Sequence, residues 1–262
     1  MNLDLSHKTA LVCGSSQGLG LASAIELSLL GANVVLMARN KESLQNALKK
    51  LDHSQGQQHH ILVADFANPE IVKQTIHDFL DQGNAIHILV NNTGGPAAGL
   101  AIDASPDDFQ KAFNAHLICN QLLVQATVNG MKQAGYGRII NIISTSVMQP
   151  IAGLGVSNTI RAAVANWSKT LSIELGQYGI TVNNVLPGFM QTVRAEYILQ
   201  KRSAELKISE DDVLKMMLSK IPTGRTGEPS EFGATVAFLA SPAAAYINGV
   251  HLPVDGGRTG WL

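Results

Sequence analysis

The chain has 262 residues, 45% of them hydrophobic and 15% charged, the balance of a globular protein with a large core rather than a disordered or fibrous one. Nineteen Lys and Arg against twenty Asp and Glu leave a net charge of −1, so no overall attraction to nucleic acid or an anionic membrane is encoded. Two cysteines, Cys13 and Cys119, exclude a disulfide framework and a CxxC zinc site, and fit a reducing cytoplasm. Residues 1–9 lack the charged-then-apolar layout of a secretory signal, and no apolar run reaches the ~18 residues of a membrane span, so a soluble, unprocessed protein is expected.

Apolar runs at 9–13, 33–38, 60–64, 86–91, 138–143, 181–186 and 250–254 read as seven strands. Amphipathic stretches at 19–30, 41–51, 69–82, 106–133 and 162–176 lie between them. Strand then helix, repeated, predicts a single-domain α/β fold: a Rossmann-like, doubly wound parallel sheet with helices on both faces and a ligand crevice at the strand carboxyl ends. No linker composition divides residues 1–262, which read as one domain.

In chain order, the first strand runs into Cys13-Gly14-Ser15-Ser16-Gln17-Gly18-Leu19-Gly20. Glycines let a backbone turn tightly and approach a pyrophosphate, whose charge suits a helix amino terminus. This GxxxGxG spacing alone is a weak signal. The second strand ends in Ala38-Arg39, where a NAD site usually has an acid to accept from the ribose hydroxyls. A missing acid followed by a planar, permanently charged guanidinium favours the 2′-phosphate of NADP over NAD.

The third strand is followed by Asp65 and the fourth runs into Asn91-Asn92-Thr93-Gly94. The long helix at 106–133 carries Asn114 and His116, and the fifth strand runs into Ser144. The sixth ends in Pro187-Gly188, with Thr192 just beyond. Charged helical sequence at 189–220 then interrupts the rhythm at the crevice edge, where a lid over the substrate is expected in preference to a plain surface helix pair. Asp255-Gly256-Gly257 follows the last strand. The eight histidines form no HExxH or HxH cluster, so no metal is implied.

Taken together, these motifs resemble the short-chain dehydrogenase/reductase family, with its TGxxxGxG turn, NNAG, a PG turn followed by Thr, and DGG. The resemblance runs from Lys8 to Gly257 and extends in general terms to 3-oxoacyl-acyl-carrier-protein reductases. It implies that Gly14, Ser16, Gly18 and Gly20 hold the cofactor phosphates, that Arg39 meets the 2′-phosphate, and that Asp65 meets the adenine. It further implies that Asn91 braces the central strands, and that Gly94, Pro187, Gly188 and Thr192 lie along the cofactor towards the nicotinamide. Dimers or tetramers built on the helices at 106–133 and 162–176 are also implied, although ordinary core packing would explain their apolar faces.

The resemblance breaks at the catalytic residues. Ser144 matches the family serine that orients the carbonyl, and Asn114 the asparagine that holds a relay water. The family's YxxxK falls on Ser157 and Arg161. An aliphatic hydroxyl is a far weaker acid than a phenol, and a guanidinium does not pass protons as an ammonium can, although Arg161 still offers a cation to a ribose. Losing a positioned general acid typically removes ~10²- to 10⁴-fold of rate. A literal YxxxK at Tyr197 and Lys201 lies in the lid, where a surface pair is the favoured reading over a displaced proton donor. His116 is read as a packed helix histidine. The expected function is NADP-dependent transfer of a hydride between the nicotinamide cofactor and a small carbonyl/alcohol substrate, 3-oxoacyl-like by resemblance, with an atypical proton donor; the rival is a catalytically silent NADP-binding sensor or structural subunit.

Overall fold

The structure, a computed structural model, describes residues 1–260. Seven parallel strands form one sheet in the order β3-β2-β1-β4-β5-β6-β7, with β1 Thr9–Cys13, β2 Asn33–Ala38, β3 His60–Val63, β4 Ile88–Asn91, β5 Gly137–Ile142, β6 Ile180–Pro187 and β7 His251–Val254. The order reverses between β1 and β4, which opens a crevice at the carboxyl ends of these two strands.

Both faces of the sheet are covered, so side chains alternate between two cores rather than between core and water. Ala10 and Val12 of β1 pack into one cluster and Leu11 and Cys13 into the other. The first core lies beneath α1 (Gly18–Leu29), α2 (Lys41–Leu48) and α9 (Pro229–Ala240). The second lies beneath α3 (Pro69–Leu80) and α5 (Cys119–Ala134). Local signals fix several helix starts. Asn40 and Asn68 accept from the Ser43 and Ile71 N–H groups, and Ser105 and Asp108 form a reciprocal capping box at α4 (Pro106–Phe113). Such a cap is typically worth about 1 kcal/mol.

Three departures from the expected elements matter for the site. The stretch 106–133 is not one regular helix: α4 and α5 are joined by a π-helical turn, Asn114–Ile118, in which Cys119 N–H donates to the Asn114 carbonyl. The helix expected at 162–176 begins earlier, so α6 (Gly155–Leu175) contains both Ser157 and Arg161. Helix α9 was not anticipated. It packs on α1, where a Cβ at Gly233 would lie 2.6 Å from the Ala22 carbonyl oxygen, so only glycine admits this approach.

Candidate active site

The glycine turn is built by its own backbone. Gly14 and Gly18 have φ of 56° and 59°, and a Cβ at Gly20 would sit 2.3 Å from the Gly14 carbonyl oxygen. Two residues outside the expected set hold this shape. Asn92 Nδ2 donates to the carbonyls of Cys13 and Gly14 at 3.3 and 3.2 Å, tying the end of β4 to the turn. Buried Ser15 accepts from the Met37 N–H at 3.1 Å, tying it to β2. Gln17, the N-cap of α1, supplies no side-chain bond to the first turn. The result is a glycine-lined cradle, opening on a helix amino terminus, and it fits the pyrophosphate of a dinucleotide.

Along the same edge, Ala38 is buried at the end of β2, and Arg39 next to it is exposed and in no ion pair among the described residues. Asp65 accepts from the Ala67 N–H at 3.0 Å and so shapes its own turn. Ser16 is half-buried within the glycine turn, and Gly94 has open space around its Cα. Past β6, the Gly188 N–H donates to the Val254 carbonyl at 2.9 Å. A Cβ at Gly188 would lie 2.5 Å from the Asp255 Cα, so the turn after Pro187 rests directly on the Asp-Gly-Gly corner. Thr192 arches back over the glycine turn, its Cγ2 3.9 Å from where a Cβ at Gly18 would lie.

Asn91 does not act as a turn former. Its side chain donates to Asn141 Oδ1 at 2.8 Å within the sheet. Ser144 caps the short turn after β5, its hydroxyl accepting from the Ser146 N–H at 3.0 Å, which leaves its proton available to an acceptor in the crevice. Ser157 and Arg161 stand one helical turn apart on α6, hence on one face. Ser157 makes no side-chain hydrogen bond among the described residues and is half-buried. Arg161 is buried and donates from Nη1 to the Ile142 carbonyl at 3.0 Å, while Nη2 comes within 3.9 Å of a Cβ built on Gly95. Burial lowers its pKa to about 10, so it stays charged at neutral pH, and no carboxylate pairs with it among the described residues. An uncompensated buried cation beside Gly94 and Gly95 is an electrostatic feature in search of an anion or a lone pair.

The π-helical turn sets the side chains of this wall. Asn114 Oδ1 accepts from Gln110 Nε2 at 2.9 Å, so its amide is engaged along the helix. His116 is turned inward and buried. Burial and then the Arg161 charge push its pKa down to about 2, against a weaker pull upward from the Gly94 backbone, so the imidazole is neutral and supplies no proton at pH 7.

Among the four tyrosines, the Tyr136 hydroxyl donates to the Ala240 carbonyl, and Tyr136, Tyr178 and Tyr246 all precede strands, at the edge of the sheet opposite the crevice. Tyr197 is half-exposed on α7 (Val193–Leu206) beside the Arg194 guanidinium, and Lys201 faces Glu205 at 3.8 Å. Both are surface groups. The expected lid segment forms α7 and α8 (Glu210–Leu218), and Arg194 Nη2 reaches across to the Pro96 carbonyl at 3.4 Å.

A single parallel sheet with glycine and polar turns converging at the switch in strand order is the site of a Rossmann-like dinucleotide-binding α/β protein. Residues 14–259 match the family model described as "Enoyl-(Acyl carrier protein) reductase", and the chain belongs to the short-chain dehydrogenase/reductase family. It is 32% identical over 256 residues to the 3-oxoacyl-[acyl-carrier-protein] reductase FabG of Vibrio cholerae, covering 97% of this chain and 98% of that one. It is 30% identical over 254 residues to the NADPH-dependent reductase BacG of Bacillus subtilis, covering 97% and 98%. Among solved structures, the L-sorbose reductase of Gluconobacter frateurii, complexed with NADPH and L-sorbose, superposes with a TM-score of 0.93 at 29% identity and full coverage of both chains.

Proposed function

We propose that this protein is an NADPH-dependent reductase that converts a carbonyl substrate to the alcohol, with a proton donor other than tyrosine. The observation that carries the reading is the convergence, on one sheet edge, of the glycine-lined phosphate cradle with Ser144, Ser157 and the buried Arg161. Relatives described as NADPH-dependent reductases support it and do not favour a silent subunit. Gly14, Ser16, Gly18 and Gly20 hold the pyrophosphate, Arg39 the 2′-phosphate and Asp65 the adenine. Asn91 keeps the central strands in place, and Gly94, Pro187, Gly188 and Thr192 line the nicotinamide end. When bound, the cofactor supplies a hydride.

Ser144 donates its free hydroxyl proton in a hydrogen bond to the carbonyl oxygen and polarises it. As that oxygen gains negative charge, the fixed cation of Arg161 stabilises it without moving, the kind of preorganised electrostatics that dominates many active sites. Arg161 also offers donors to a ribose hydroxyl. The proton that completes the alcohol comes from solvent through Ser157, or from a water held near the Asn114 turn, because neither Arg161 nor neutral His116 releases one at pH 7. The segment 189–220 acts as the lid, a role supported by the Arg194 contact with Pro96 across the crevice. The free, buried Cys13 and Cys119 support a cytoplasmic location. The described residues contain no helix long and apolar enough to cross a membrane.

The test is consumption of NADPH with a panel of 2-oxo, 3-oxo and simple ketones, in the parent and in Ser144→Ala. Turnover that falls about 10²-fold or more in the variant, with NADPH affinity retained, is expected. No turnover by the parent on any panel member, despite NADPH binding, overturns the reading.

A further inference from the structure

A second cavity, about 310 Å³, lies between the turn that follows Ser144 and the helices of segment 189–220. Thr145, the residue next to Ser144, forms part of its wall, so the cavity continues from the reactive end of the crevice. Its lining is chemically one-sided. Arg202 of α7, Lys220 just past α8 and Arg258 beyond the Asp-Gly-Gly corner all contribute, and no aspartate or glutamate does. In a chain with slightly more acids than bases, three cations from three separate elements around one small cavity depart from the overall balance. None of the three is in an ion pair among the described residues, whereas the neighbouring Lys201 and Lys215 each face a carboxylate on their own helix. The rest of the wall is largely apolar, with Leu206, Met216 and Met217 presenting flexible, adaptable side chains.

We infer that this cavity selects an anionic substrate: an oxo compound whose short apolar body lies against Leu206, Met216 and Met217 and whose negative head group is taken by Arg202, Lys220 and Arg258. The inference rests on the reductase reading and names the substrate class for it. Like charges gathered without counter-ions repel one another and are stabilised when an anion enters, and guanidinium groups take carboxylate or phosphate oxygens in pairs. The volume suits a small metabolite, since cavities for drug-sized ligands run from about 300 to 1,000 Å³. Because Arg202 and Lys220 sit in the helical segment over the crevice, the head group would also draw that segment towards Thr145. Reduction leaves the head group untouched, so the product is a hydroxy anion of the same charge.

The test uses the NADPH-saturated protein and calorimetric binding of hexanoate, hexyl phosphate and hexanamide. At least one anion is expected to bind about tenfold or more tightly than the neutral amide, the worth of a hydrogen bond to a charged group. Whichever anion binds better identifies the head group as carboxylate or phosphate. Arg202→Gln, Lys220→Gln and Arg258→Gln should each narrow the ratio of anion to amide affinity, and added salt should narrow it in the parent. Equal affinities for anions and amide, or a preference that survives all three substitutions together, overturn the inference. Turnover of 3-oxohexanoate against ethyl 3-oxohexanoate separates it from the reading beneath it. Anion-selective binding without turnover of either defeats the reductase reading alone, whereas turnover of both at equal kcat/KM without selective binding defeats this inference alone.

Discussion

Asn141 Nδ2 donates to Asn184 Oδ1 at 3.0 Å across the β5–β6 pair, and the two residues are direct register partners in the sheet. The bond is one rung of a longer run. Asn141 accepts from Asn91 on β4 and donates its second N–H to Ser168 Oγ on α6 at 3.1 Å, while Asn184 Nδ2 lies 3.0 Å from His251 Nδ1 on β7. A buried amide with all three of its bonds made fixes which residues face each other, and a one-residue slip would break every one.

Replacing Asn141 with Leu, nearly the same size, strands the Asn91 amide, the Ser168 hydroxyl and the Asn184 carbonyl in the interior. At about 1–3 kcal/mol for each unsatisfied buried group, a loss of about 3 kcal/mol or more is expected. Urea denaturation of the variant measures it; a change under about 1 kcal/mol would show that the strands hold their register without these bonds.

The cofactor preference follows from Ala38 and exposed Arg39. A ligand bound only by the folded state stabilises it by RT ln(1 + [L]/Kd), so the tighter ligand, NADPH, should raise Tm more than equimolar NADH. Ala38→Asp should reverse the order by repelling the 2′-phosphate, and Arg39→Ala should narrow the gap. Equal shifts in the parent would remove the basis for assigning NADP.

Much of this was legible from residue order alone. Alternating strand and helix patterns place all seven strands to within two residues at each end, because a sheet covered on both faces needs continuous apolar runs between polar turns. The positions of Gly14, Gly18, Ser144 and Gly188 followed from their turns. What stayed hidden depended on contacts between distant residues. Asn92 stands in the sequence only as one member of Asn91-Asn92-Thr93-Gly94, and only the closeness of the β4 end to Gly14 reveals that it clamps the glycine turn. The π-helical turn has no compositional mark, and α9 hides its pattern because small residues such as Gly233, Ala237 and Ala240 pack on its buried face while Ala234 lies on the exposed one, so hydrophobicity separates the two sides weakly.

The proposed proton donor can be tested by placing a tyrosine and a lysine at Ser157 and Arg161. Ser157 and Arg161 share a face of α6, so Ser157→Tyr with Arg161→Lys should place a phenol near Ser144 and a lysine where the guanidinium now lies. The double variant is expected to gain reductase activity on simple ketones, with each single change gaining less because the two groups act as a coupled pair. Steady-state kinetics read the outcome. A folded, NADPH-binding double variant with no gain would mean that the crevice is shaped around a different substrate pose. Parent activity that survives Ser157→Ala but collapses on Tyr197→Phe would move the proton donor to α7.

Acid should weaken the fold through His116. Its folded pKa lies far below that of an exposed histidine because burial, then the Arg161 charge, opposes protonation. Below about pH 6.5 the unfolded chain takes up a proton that the folded chain refuses, so stability is whole above that pH and falls by up to about 1.4 kcal/mol per unit below it. His59, His87 and His251 shift in the same direction, chiefly through burial, and add to the slope. Unfolding free energies at pH 7 and pH 5.5 should differ less in His116→Gln than in the parent; identical differences would show that this histidine is not the acid-sensitive group.

The turn from Asn114 to Ile118 also has a consequence for how this wall tolerates changes in chain length. It holds one residue more than an α-helix would place in the same rise, as the bond from Cys119 back to Asn114 shows. The wider turn absorbs its extra residue locally, so deleting one residue there would restore regular winding with α4 and α5 still facing as they do, and would re-aim only the side chains of the turn itself. Substitutions on this wall therefore change one side chain at a time, whereas a single deletion within the turn re-aims Asn114 and His116 together while the flanking helices keep their packing.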